Sequence, residues 1–187
     1  WQLCEEYKVY NIDTCLIYAY QMLDEAKDLR ETIIAKSALV YSLASVGQVS
    51  EAMDILNGIP QNFVYDPELY IFYEAAHHLY YTINQIQPGK KNVYKAARHQ
   101  IRQDLLQHDT TSYIARTYLI HEKTYTKEYD QALRVAVSIL ETENLPTRYR
   151  AINEYNLANI LGHLGKEEES TEHLICAAKL DLETSTK

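Results

Sequence analysis

Apolar side chains recur every three or four positions along most of the chain, which is the spacing of one face of an α-helix. Val93, Ala97, Ile101 and Leu105 form one such series. Glycine, proline and short polar clusters divide the pattern into segments of normal helix length. We predict about ten helices, near residues 2–10, 13–29, 31–46, 50–57, 67–86, 91–107, 111–126, 129–143, 148–164 and 166–182.

Several of these boundaries carry local signals. Asp66-Pro67-Glu68 is a strong helix start, because Asp accepts hydrogen bonds from free amides, Pro fits the first turn and Glu is favoured by the helix dipole. Asp13-Thr14 is expected to cap the second helix. Gly47 and Gly165 are each expected to end a helix. Pro88-Gly89 is expected to end another helix before the next one begins.

One sequence pattern, typical of a pair of helices, recurs along the chain. The intervals between its occurrences are irregular and close to 40 residues. From Ala38 to Leu56, a helix of small and apolar residues is followed by a linker with Gly and then by a second helix. Residues 156–177 repeat that order. Each predicted helix has one apolar stripe and cannot bury it alone. Helices joined by short loops should therefore pack as antiparallel pairs.

The composition supports an all-helical chain. Only 5 of the 187 residues are Gly and 4 are Pro, too few for the turns of many short strands. Hydrophobic residues make up 47% and charged residues 24%, which is typical of a folded globular protein. We therefore predict an all-α fold with no sheet and more than two thirds of the residues in helices.

The pattern resembles the tetratricopeptide repeat (TPR), whose two helices meet at small residues and whose linker carries Gly followed by acids and Ala. Ala52, Ala97, Ala132 and Ser170 match the small position of the second helix. The first helices mostly lack the family's Gly, and the spacing is uneven. The resemblance implies one TPR-like domain over 1–187, a right-handed α-solenoid of antiparallel helix pairs. Ala52, Ala97, Ala132 and Ala158 should be buried where two helices touch.

A narrower resemblance involves the stretches 2–8, 13–19, 43–47 and 177–187. They are similar to the repeat portion of membrane-anchored regulators of gut bacteria, in which this portion precedes a transmembrane helix, a coiled coil and a cytoplasmic output region. The resemblance implies a sensor domain in the periplasm, as part of a longer protein. A cytoplasmic location is the alternative.

Charge and hydropathy exclude some partners. The net charge of -8 opposes the phosphate-neutralising surface that nucleic acids require, so we expect no nucleic-acid binding by this segment. The densest basic stretch is expected to be a solvated helix face; it comprises Lys90, Lys91, Lys95, Arg98 and Arg102. No run of 18 apolar residues occurs, so we expect no membrane contact by this segment; a membrane anchor of the full-length protein would lie elsewhere.

The candidate chemistry argues against an enzyme. Cys4, Cys15 and Cys176 form no C-x-x-C pair and are expected to be buried free thiols. Glu74 and His77 have the spacing of a di-metal helical site, but that site needs the motif twice, and it occurs once. His121-Glu122 begins a zinc-protease pattern that lacks its second His. We therefore predict no catalytic residue, no metal site and no cofactor.

The 17 tyrosines are the unusual feature of the composition. Large aromatic side chains often pack between helices, so most of them should be core or half-buried packing residues. Matching the helix pairs by their small residues, however, places aromatic or polar side chains at first-helix positions four apart, which line the concave surface in TPR proteins. We call them the inner positions and predict that they form a binding groove: Tyr41, Tyr73, His77, Tyr81, Thr117, His121, Tyr125, Tyr155, Asn159 and His163.

These observations favour a ligand- or protein-binding sensor module of a larger regulator. Its partner would be a protein, a peptide or a small polar ligand, held by broad aromatic contact and hydrogen bonds. A free-standing cytoplasmic scaffold for protein partners is the alternative. An enzyme is a third hypothesis with little support in the sequence.

Overall fold

The computed structural model describes residues 4, 7–8, 11–60, 62–87, 89, 91–142 and 144–185. The structure is 82% helical. The described residues contain no strand. The α-helices are α1 (Ile12–Glu25), α2 (Leu29–Ser45), α3 (Val49–Asn57), α4 (Tyr70–Ile86), α5 (Lys91–His108), α6 (Tyr113–Tyr125), α7 (Tyr129–Leu140), α8 (Thr147–His163) and α9 (Glu167–Ser185). A 3₁₀ turn, Pro67–Leu69, precedes α4. The predicted helix at 2–10 lies mostly outside the described residues.

Side-chain caps determine where several helices begin. The Asp66 carboxylate accepts a hydrogen bond from the Glu68 amide at 2.9 Å, as predicted. The predicted cap at Asp13 is wrong, because Asn11 accepts from the Thr14 amide at 3.1 Å instead. The predicted helix 13–29 ends early, at Glu25, because Ala26 is extended and Asp28 then caps α2 by accepting from the Glu31 amide at 2.8 Å.

The linkers inside three helix pairs have the same backbone conformation. Gly47 and Gly165 have φ values of 82° and 75°, where glycine avoids the steric cost of a Cβ. Lys127, in the matching linker between α6 and α7, has a φ of 63°, although its Cβ makes that conformation sterically costly. In all three, the following residue donates its amide back to the last turn of the helix, as in a Schellman motif; Glu128 does so to the Lys123 carbonyl at 2.8 Å.

The chain divides into two compact units, residues 1–108 and 109–187. In the first unit, α2 is the central helix and contacts α1, α3 and α4. Its side chains Ile33, Leu39 and Leu43 are almost fully buried. Ala52 of α3 is also fully buried, which confirms its predicted role as a small contact residue. The prediction for Ala97 is wrong, because that residue is only half-buried in α5.

The second unit has its core between α6, α7 and α8. Ala132 and Ala136 of α7 are fully buried, and they pack with Ile120 and Leu157 from the helices on either side. The Asn153 side-chain amide of α8 donates to the Ala136 carbonyl at 2.8 Å, so the two backbones lie close together here. Ala158 is 1% exposed and Ala132 is 0% exposed, which confirms both predicted contacts.

Candidate functional site

In the first unit, the inner positions lie on α2 and α4 and differ in exposure. Tyr81 is 45% exposed, whereas Tyr73 is only 5% exposed. Tyr41 and His77 are half-buried. The α4 residues beside them, such as Leu79 and Ile83, are aliphatic and buried. The inner positions of this unit are therefore mixed: Tyr81 is about half exposed to solvent, and Tyr73 belongs mainly to the core.

A polar network surrounds Tyr41. The Lys8 ammonium pairs with the Glu74 carboxylate at 2.9 Å and lies 5.1 Å from the centre of the Tyr41 ring. On α4, His78 stacks on that ring with centroids 4.3 Å apart, and its Nε2 is 2.9 Å from the Ser45 hydroxyl. Burial lowers the pKa of His78; Glu74 opposes that shift and Lys8 adds to it. The network therefore holds His78 neutral near pH 7 and fixes the Tyr41 ring.

His77 lies beside two arginines from α5. Its Nε2 accepts hydrogen bonds from Arg98 and Arg102, each at 3.3 Å. The Arg98 guanidinium also lies 5.0 Å from the centre of the Tyr81 ring, a cation–π contact. The expectation that the basic stretch is a solvated face is wrong for Arg102, which is only 5% exposed, because it turns towards α4. Lys95 is exposed, as expected, and Lys90 lies outside the described residues.

Tyr73 belongs to an aromatic cluster in the first unit. Its ring meets Phe72 edge to face at 5.2 Å and Tyr65 at 6.0 Å. Tyr65 in turn stacks on His108 at the end of α5, at 5.2 Å. Burial, followed by the negative charge of Asp104, raises the pKa of Tyr73. This hydroxyl therefore stays protonated at physiological pH.

In the second unit, α6 carries three inner positions. Tyr125 is 48% exposed, His121 is half-buried and Thr117 is 7% exposed. The Tyr118 ring lies 6.3 Å from that of His121 and is itself buried. Exposure therefore increases along this helix towards Tyr125.

The three inner positions on α8 are all exposed. Tyr155 is 54% exposed, and Asn159 and His163 follow at intervals of one turn on the same face. His163 stacks on Tyr129, the first residue of α7, with centroids 4.9 Å apart and planes 13° apart. Tyr129 is not among the predicted groove residues.

Several partners of the inner positions were not predicted. Lys8, Arg98 and Arg102 contact inner side chains from elements outside the predicted set. Ser45, one turn after Tyr41 on α2, contacts His78 through its hydroxyl. Repeat spacing identifies the first-helix positions only, so it could not indicate which second-helix side chains turn towards them.

The three cysteines differ in burial and in their contacts. Cys4 and Cys15 are buried thiols in no disulfide bond, which confirms their prediction, and the Cys15 sulfur lies 3.2 Å from the Ser42 hydroxyl. Cys176 is free but only half-buried; burial and then the negative charge of Glu154 raise its pKa, so its thiolate is disfavoured. Within the described part of the chain, no three His, Cys, Asp or Glu side chains are grouped as metal ligands.

None of the described helices is long and apolar enough to cross a membrane.

Comparison with a solved structure identifies the fold. A kinesin light chain from Podosopora anserina with nearly identical TPR-like repeats is similar over 100% of this chain and 95% of that chain, with 13% sequence identity and a TM-score of 0.51. At that identity, the likeness concerns the fold alone. It confirms the predicted class, an all-α solenoid of TPR-like helix pairs.

Sequence comparison identifies the family. No curated protein matches the chain. The family model described as the SusR N-terminal TPR domain matches residues 1–187, the whole chain. This match confirms the predicted resemblance to TPR-containing regulators. The chain belongs to the family of SusR N-terminal TPR domains.

Proposed function

We propose that this domain is the ligand- or protein-binding sensor of a larger, membrane-anchored regulator, and that the inner positions of each unit take part in binding. The observation that carries the proposal is the composition of α8. Its core-facing residues Leu157, Ile160 and Leu161 are at most 3% exposed, whereas Tyr155, at an inner position, is 54% exposed. Helix packing alone does not require large aromatic residues at exposed positions.

Tyrosine suits such a surface for physical reasons. Its side chain has two main torsions, so it loses little conformational entropy on binding, and it offers a broad apolar face with a hydroxyl at the end. Tyr81, Tyr125 and Tyr155 are each about half exposed. Each could therefore bury further apolar area against a partner. This supports a partner with both apolar and polar groups, such as a peptide, a protein loop or a small polar ligand.

The contacts around the inner positions support recognition by a surface that is already ordered. Tyr41 contacts both His78 and Lys8, and Tyr81 is covered on one face by Arg98. His163 is stacked on Tyr129. Side chains held in this way need less ordering when a partner binds, which lowers the entropic cost of association.

The regulatory and periplasmic parts of the proposal are supported by the SusR family match. A sensor separated from its output region by a membrane anchor would respond to a partner outside the cytoplasm. The alternative, a cytoplasmic scaffold, would use the same surface for a resident protein partner. Catalysis is not proposed, because Cys176 has a raised pKa and Glu74 is paired with Lys8.

The test compares two exposed tyrosines in the full-length regulator. Tyr155→Ala removes an inner position, whereas Tyr20→Ala removes a ring of similar exposure, 42%, whose hydroxyl contacts Glu51 and so joins α1 to α3. Both variants should keep the wild-type circular dichroism spectrum. We expect Tyr155→Ala to reduce the regulated output at least tenfold under activating conditions, and Tyr20→Ala to preserve it.

Full output from Tyr155→Ala would contradict the assignment of the binding surface. The location is tested separately with alkaline phosphatase fused after residue 187, with all of the preceding residues of the regulator retained. Phosphatase activity is expected for a periplasmic domain, and its absence, with normal expression, would favour the cytoplasmic scaffold.

A further inference from the structure

Three sulfur-containing side chains come together in the first unit, and none of them is an inner position. Cys15 and Met22 are seven residues apart on α1 and lie on the same face of that helix, and Cys4 precedes the helix. The Cys4 sulfur is 3.5 Å from the Met22 sulfur. Cys4 is 1% exposed and Cys15 is 2% exposed. We call these three residues the sulfur cluster.

Reciprocal contacts hold the two cysteines side by side. The Cys4 thiol donates to the Cys15 carbonyl at 3.7 Å, and the Cys15 thiol donates to the Cys4 carbonyl at 3.4 Å. The Cys15 sulfur also lies 3.2 Å from the Ser42 hydroxyl of α2. Ala19, between Cys15 and Met22 on the same face of α1, is fully buried and carries only a methyl group. No larger side chain on this face of α1 therefore separates the sulfurs.

The chemistry of the sulfur cluster is that of a soft metal site. Thiolate and thioether sulfurs are the ligands that select Cu(I). A metal–thiolate bond is about 2.3 Å long, so two sulfurs bound to one trigonal ion lie about 4 Å apart. The Cys4 and Met22 sulfurs, at 3.5 Å, would have to separate by about 0.5 Å to share an ion. The Cys15 thiol would join them by rotating about χ1, away from Ser42.

Met22 also lines a surface cleft of about 560 Å³ between the end of α1, the start of α2 and the 3₁₀ turn. The charged residues of its lining are three acids and two bases: Glu25, Glu31, Glu68, Lys27 and Arg30. Arg30 forms ion pairs with Asp66 and Glu68, so its positive charge is compensated. The cleft therefore gives a cation a route to the Met22 thioether without a net positive barrier.

We propose that the sulfur cluster is a Cu(I) site, with the Cys4 and Cys15 thiolates and the Met22 thioether as its three ligands. Binding takes up one Cu(I) ion and releases the two thiol protons to solvent, with no change in oxidation state; the thioether donates a lone pair and has no proton to lose. The bound ion joins Cys4 to α1 through metal–sulfur bonds.

No metal site was expected from the sequence, because the three ligands share no short motif. Cys4 lies 11 residues before Cys15 and 18 before Met22. Buried cysteine and methionine also serve as ordinary packing residues. Packing requires only apolar side chains of suitable size at these positions, whereas the Cu(I) site requires sulfur at all three. Substitutions that keep the packing and remove the sulfur therefore distinguish the two roles.

Titration of the reduced 1–187 chain with Cu(I) under nitrogen tests the proposal. The coloured chelator bicinchoninate competes for the ion, and the copper that it fails to remove is counted as bound to the protein. We expect the wild type to retain one Cu(I) ion per chain. Cys15→Ala should weaken binding by about a hundredfold and Met22→Leu by about tenfold, because they remove a charged and a neutral ligand. Cys176→Ser, which removes the half-buried thiol of α9, is the matched control and should bind as the wild type does.

Two measurements on the wild type keep the test independent of how well the variants fold. Cu(I) should raise the melting temperature, because an ion bound by the native fold stabilises it. X-ray absorption at the copper edge should show three sulfur neighbours at about 2.3 Å.

Several results would overturn the proposal. These are nitrogen or oxygen neighbours in the absorption spectrum, binding that Cys15→Ala and Met22→Leu leave unchanged, and loss of binding in Cys176→Ser. A melting temperature that falls on addition of Cu(I) would show that the ion binds the unfolded chain instead. A disulfide between Cys4 and Cys15 in place of bound copper, read by peptide mass spectrometry, would assign the two thiols to redox chemistry.

Discussion

Replacing Ala132 with a larger residue should destabilise the fold, because Ala132 lies at a close contact between helices. Ala132 is 0% exposed and packs in the cluster that contains Ile120, Ala136 and Leu157. Ala132→Leu adds three carbons, whose transfer from water would stabilise the fold by about 2.4 kcal/mol if space existed, at roughly 0.8 kcal/mol for each. No such space is expected beside a fully buried alanine, because α7 must move away from its neighbours. We therefore expect a net loss of about 1–3 kcal/mol, the usual cost of overpacking.

Urea unfolding followed by circular dichroism measures this loss. The matched control is Ala96→Leu, the same substitution at an exposed position in α5, which should change the free energy of unfolding by less than about 0.5 kcal/mol. Ala158→Leu, at a position that is 1% exposed, should behave like Ala132→Leu. If Ala132→Leu and Ala96→Leu are equally stable, the alignment of the helix pairs is wrong.

Two further predictions concern the positive-φ linker residues and His78. Lys127→Gly should stabilise the fold by about 0.5–1 kcal/mol, because glycine accepts the positive φ of that position, and Gly165→Ala should have the opposite effect; thermal unfolding measures both, and a destabilised Lys127→Gly would refute the argument. Because burial lowers the pKa of His78, the unfolded chain takes up that proton first as pH falls. This contribution to stability is complete above about pH 6.5 and decreases below it, towards the folded pKa. The melting temperature should therefore fall more between pH 7.5 and 5 in the wild type than in His78→Gln, and identical falls would exclude the effect.

Local chemistry explains why most helices could be predicted. Asp66, Gly47 and Gly165 act within a few residues of themselves, so their effects can be derived without knowing the tertiary structure. The end of α1 was missed because Ala26 and Lys27 include neither Gly nor Pro, and Asp28 was not recognised as the cap of α2.

Tertiary contacts explain what could not be predicted. Arg102 is in a basic stretch, but its burial depends on His77, 25 residues earlier in a different helix. Ala97 is only half-buried although it matches the small repeat position. At the inner positions, periodicity identified the face, whereas the exposure of each ring depends on neighbours such as Phe72 beside Tyr73. The participation of the inner positions in binding stays a prediction.

The most direct test of the central claim is binding by the inner positions themselves. Once a thermal-shift screen of peptides and small polar molecules gives a ligand, its affinity is measured by calorimetry for three proteins. These are the wild type, Tyr81→Ala with His121→Ala, and a control, Tyr20→Ala, whose residue lies outside the inner positions on α1. We predict that the inner double variant abolishes binding while its helical spectrum is unchanged, and that the control binds as the wild type does. Equal affinity in all three proteins would contradict the account and identify these aromatic residues as packing residues.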